Sequence, residues 1–119
     1  MNVRLTAFGG WKPLFWAAAL GILALSLLPS ATPMPTTGWD KTNHLLGFAT
    51  LAALARFGYP GPAWPRLLAL VAYGALIEVL QSMTPDRSAE WVDLAADSIG
   101  ILIGWSAAWL AAFAVRRRA

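Results

Sequence analysis

The side chains of this chain that could do acid–base or ligand-holding chemistry are written at helical spacing into stretches otherwise apolar enough to cross a bilayer. Asp40, Lys41 and His44 open one stretch, Glu78 and Gln81 lie near the end of the next, and Asp93 and Asp97 open the last. An ionisable group on a membrane-spanning helix costs about 2.5–3.5 kcal/mol at the helix centre and less toward its ends, so such groups must be buried against one another or around water. Glu78, Asp93 or Asp97 suits a general base, and His44 an acid or base. These four are the catalytic candidates. Asp40, Lys41, Gln81 and Arg87 are the candidates for holding a ligand, Lys41 and Arg87 being suited to an anionic headgroup.

Other chemistries find less support. There is no cysteine, and Ser82, Ser88 and Ser98 lack a recognisable local motif, so no nucleophile stands out. A single histidine argues against a high-affinity zinc site, and a Mg²⁺ or Ca²⁺ site would use the carboxylates alone. His44 with Glu78, Asp93 and Asp97 nonetheless supplies nitrogen and oxygen ligands, so a metal variant stays open, with no metal ligand assigned and the cofactor unknown. Each residue also has a plainer reading. His44 alone reads as a helix-to-helix hydrogen-bond donor, and Lys41 and Arg87 as anchors snorkelling to lipid phosphates. Glu78 resists such a reading, because Gln or Ser would join helices without a charge to desolvate. It is expected to be neutral or paired with Arg87, Lys41 or His44.

The elements that must position these groups follow from composition. Of 119 residues 58% are hydrophobic and 13% charged, against about 25% charged in a soluble domain. This reads as a single-domain integral membrane protein, and its seven Trp suit the membrane–water interface. The net charge of +3 does not indicate nucleic acid, because the densest basic run, Arg116-Arg117-Arg118, directly follows an apolar helix and reads as a topology anchor.

Proline, glycine and capping residues divide the chain into an all-α bundle of four transmembrane helices, over residues 12–28, 40–57, 65–83 and 88–115. The first resembles a signal peptide, but prolines at 29 and 33 stand where a small-residue cleavage site should be, and a retained helix is preferred. Asp40 and Ser88 are the expected caps of the second and fourth helices. Arg4, Lys12, Arg56, Arg66 and Arg116 to Arg118 fall on one side, and only Lys41 and Arg87 on the other. Seven against two puts both termini and the second loop in the cytoplasm and the first and third loops in the periplasm or cell exterior; the expected location is the cell inner membrane. His44, Glu78 and Asp97 then meet at the outer leaflet.

Helical spacing places Asp40, His44, Phe48 and Leu51 on one face, and Gly74, Glu78 and Gln81 on another. Asp93, Asp97, Gly100, Gly104 and Ala111 form a stripe about 60° wide. Gly100-Ile101-Leu102-Ile103-Gly104 is a GxxxG pair, which admits a close neighbour.

The pattern Asp40-Lys41-x-x-His44-x-x-x-Phe48, then Glu78-x-x-Gln81, then Arg87, Asp93, Asp97, Gly100 and Gly104 resembles the VanZ-like membrane proteins across roughly residues 39–105. Asp97 departs from the Asn of that pattern. The resemblance implies an envelope setting and, through the family's namesake, an association with low-level resistance to the lipoglycopeptide teicoplanin. It implies no reaction. Two readings of function remain open: a protein that binds or acts on an amphiphilic envelope molecule, such as a lipid, a lipid-linked intermediate or a lipoglycopeptide, and a non-catalytic structural protein binding lipid or another membrane subunit. Transport would need a homo-oligomer, because four short helices line too small a pore.

Overall fold

Proline and glycine set the helix limits. The computed structural model describes residues 9–29, 40–85 and 87–118, and among them the only regular elements are four helices. They are α1 (Trp11–Ser26), α2 (Asp40–Gly58), α3 (Ala63–Ser82) and α4 (Trp91–Arg118). Arg4, the expected loop over 33–38, Asp86 and the Asp40 side chain lie outside the described residues. Pro13 and Pro65 each fall in the first turn of a helix, where a missing amide hydrogen goes unmissed. Gly61 turns the chain between α2 and α3 at φ 115°, a conformation that favours glycine. Arg66 fastens that turn, donating to the Pro62 carbonyl at 3.1 Å and to those of Tyr59 and Gly61.

One helix starts later than the sequence suggests. Ser88 does not cap α4, which begins at Trp91. The Glu90 carbonyl accepts the amides of Asp93 and Leu94, so Glu90 opens the first turn, and its own amide is drawn away to the Glu78 carboxylate.

The helices run alternately up and down. α2 and α4 are therefore parallel, and they make the tightest contact: the Cα of Gly100 faces the backbone of Leu45, and that of Gly104 the backbone of Ala49. α1 lies antiparallel to α2, with Ile22 against Gly47 and Trp11 and Lys12 against Gly58. Tyr73 of α3 donates its hydroxyl to the Ala19 carbonyl of α1 at 2.5 Å. Phe48, Leu51, Ile77 and Ile101 fill the centre. The small stripe of α4 ends sooner than expected: Ala108 is buried, but Ala111 is exposed.

The outward faces are apolar. Leu20, Trp64, Leu68, Leu102 and Leu110 are exposed. By length and composition α3 and α4 could each cross a membrane. α1 has 16 residues, about 24 Å of helix against a hydrocarbon core of about 30 Å, and α2 carries polar residues at its start and Arg56 near its end. The alternation gathers the start of α2, the end of α3 and the start of α4 at one end of the bundle. Lys12, Arg56, Arg66 and Arg116 to Arg118 gather at the opposite end, where Arg56 and Arg66 lie 5.8 and 4.8 Å from the centre of the Trp105 ring.

Candidate functional site: a polar cluster between three helices

The parallel register of α2 and α4 brings their polar residues into pairs. Lys41 forms ion pairs with Asp93 and with Glu90. One turn further in, His44 Nδ1 and Asp97 Oδ1 share a hydrogen bond at 2.8 Å, while Nε2 lies 3.6 Å from Asp93 Oδ2. The next turn along is the Gly100–Leu45 contact, so the glycine pair sets the spacing at which these side chains meet.

α3 closes the third side. Glu78 Oε2 accepts the Glu90 amide at 2.9 Å. Its other oxygen, Oε1, is buried with no hydrogen-bond partner. Of the two expectations for Glu78, neutral or paired with Arg87, Lys41 or His44, the pairing is not seen among the described residues, because the carboxyl group is taken up in starting α4. Gly74, one turn before Glu78, makes room for Asp97: a methyl group there would lie 2.9 Å from Asp97 Oδ2. One donor atom from each of His44, Glu78 and Asp97 lies within 4.8 Å of the others.

The burial is unusual for such groups. Asp97 is 0% exposed, and Glu78 and Asp93 are 5% exposed, whereas charged side chains are almost never fully buried unless paired. All four catalytic candidates, His44, Glu78, Asp93 and Asp97, therefore come together, with Lys41 at their outer edge. Two of the ligand-holding candidates point elsewhere. Gln81 donates from Nε2 to the Ser26 carbonyl at 3.0 Å, and Arg87 from Nη2 to the Leu28 carbonyl at 2.7 Å. Both fasten the end of α1.

Chemically the cluster has the parts of an acid–base site. Asp97 holds the imidazole through Nδ1, which fixes the ring and directs Nε2 toward Asp93. Glu78 offers a second carboxylate with an oxygen uncommitted.

A model of the VanZ/LLP1 family matches residues 6–113. The chain belongs to the VanZ/LLP1 family. Comparison with curated proteins and with solved structures gives no match. The match takes in α1, which the motifs read from the sequence did not reach, and in this VanZ/LLP1 protein α1 supplies the carbonyls that hold Gln81 and Arg87.

Glu90 was not among the candidate catalytic or ligand-holding residues, although the sequence sets it with Asp93 and Asp97 in the polar opening turns of the fourth stretch. It joins the cluster twice, through its carboxylate to Lys41 and through its amide to Glu78. Its place three residues before Asp93 was a usable signal, since a residue opening the first turn comes near the one three further on.

Proposed function

We propose that this VanZ/LLP1 protein spans the cell inner membrane four times with both termini in the cytoplasm, and that its polar cluster binds or acts on an amphiphilic envelope molecule at the outer leaflet. The observation that carries the reading is the burial of Glu78, Asp93 and Asp97 beside His44, in a bundle whose outward faces are apolar. Groups so expensive to bury within a membrane bundle mark functional sites by default. The site lies at the end of the bundle that carries the fewest cations, which is the outer end by the positive-inside rule.

The orientation has a direct check. Cysteine introduced at Ser88 is expected to react with a membrane-impermeant thiol reagent applied outside, and cysteine at Gly61 is not. The reverse pattern would place the cluster on the cytoplasmic side.

Function is tested at Glu78. In Glu78→Gln the side-chain oxygen can still accept the Glu90 amide, so the start of α4 is kept while the ionisable acid is removed. Envelope-antibiotic susceptibility or lipid binding, normalised to folded protein, should fall to background at unchanged membrane abundance. A second reading, a purely structural cluster, draws on the way Lys41–Asp93 and His44–Asp97 join α2 to α4. It predicts that Glu78→Gln behaves as wild type, because an uncharged amide still bridges helices at lower desolvation cost.

A further inference from the structure

The site holds more carboxyl groups than its own cations can pair. Glu78, Glu90, Asp93 and Asp97 face Lys41 and one imidazole, and Arg87 is turned to the Leu28 carbonyl. An anionic headgroup entering here would meet carboxylates, with Lys41 already engaged by two of them. Yet the cluster contains one donor set of a different kind. Donor atoms of His44, Glu78 and Asp97 converge within 4.8 Å, from three separate helical turns. Glu78, 5% exposed, keeps Oε1 buried with no hydrogen-bond partner, a cost of about 1–3 kcal/mol or more for a charged group that a ligand at that atom would remove.

We propose that His44, Glu78 and Asp97 bind a divalent cation of the Mn²⁺ class, and that this ion holds the anionic headgroup of the amphiphile. One imidazole with two carboxylates favours such ions over Ca²⁺ and Mg²⁺, which prefer oxygen alone. The ion offsets excess carboxylate and adds a positive centre beside Lys41, whose own charge is already shared by Glu90 and Asp93. Its role with the headgroup rests on the amphiphile reading above; the ion site itself does not.

The test uses the full chain purified in detergent through a tag without histidine, with Mn²⁺ as the probe. The chain has a single histidine, so imidazole-nitrogen modulation in the electron spin echo of bound Mn²⁺ is assignable to His44. The expected result is that signal at one ion per chain, lost in His44→Gln. Glu78→Gln should weaken Mn²⁺ binding by more than about tenfold, the least that loss of even an outer-shell partner costs, with helicity and monodispersity unchanged. Absence of nitrogen modulation, or Mn²⁺ affinity unaltered in Glu78→Gln, would overturn the site. A second arm reconstitutes the chain in vesicles containing phosphatidic acid. Phosphorus coupling to the bound Mn²⁺, and lipid binding abolished by a chelator, support the bridging role. Lipid binding that survives chelation overturns that role and leaves the amphiphile reading standing. Mn²⁺ bound at His44 with no lipid binding under any condition supports the ion site and overturns the amphiphile reading instead.

Discussion

Gly104→Ala should destabilise the protein severely, at or beyond the roughly 3 kcal/mol upper range for overpacking a core. The added methyl would fall on the Ala49 backbone, including its carbonyl, and main chain cannot swing aside as a side chain can. α2 and α4 would have to separate, and Lys41–Asp93 and His44–Asp97 stretch with them. Thermal unfolding in detergent checks this, with Gly21→Ala as the contrast. A methyl at Gly21 meets nothing within 4 Å, and the change should be neutral or stabilise the helix by about 0.5–1 kcal/mol. Equal behaviour of the two variants would mean that α2 and α4 do not approach this closely.

The second large effect is expected at Lys41. Lys41→Met leaves Asp93, whose side chain is 6% exposed, without its cation and should cost about 3 kcal/mol, the low end of the range for breaking a buried pair. The low end applies because the Lys41 side chain is itself 20% exposed and partly solvated. Lys41→Met combined with Asp93→Leu should recover most of the loss, since replacing both partners removes the stranded charge. A double-mutant cycle on unfolding free energy in detergent measures the coupling. A loss below about 1 kcal/mol in the single variant would class the pair with ordinary surface ion pairs.

What could be read from the sequence was whatever depends on neighbours along the chain. The four helices follow from prolines, glycines and apolar runs. The family follows from the spacing of Asp40, Lys41, His44, Glu78, Asp93 and Asp97, and the match over residues 6–113 bears it out. The convergence of His44 with Asp93 and Asp97 was expected because an ionisable group in an apolar helix has few places to go. The cap at Ser88 failed because local capping preference competed with a partner distant in sequence: the Glu90 amide bonds to Glu78, twelve residues before it, and the helix starts where that bond leaves it.

The tertiary structure alone decided which polar residues face the cluster and which serve the frame. Gln81 and Glu78 lie three residues apart on one helix, yet one is turned to the end of α1 and the other to α4. Helical periodicity cannot separate them, because it gives a face and not the neighbour across from it. Likewise the parallel register of α2 and α4 was set by Gly100 and Gly104 meeting the backbones of Leu45 and Ala49, a contact between segments more than fifty residues apart. Sequence spacing supplied the carboxylates and the imidazole; the closeness of that crossing brought them within reach of one another.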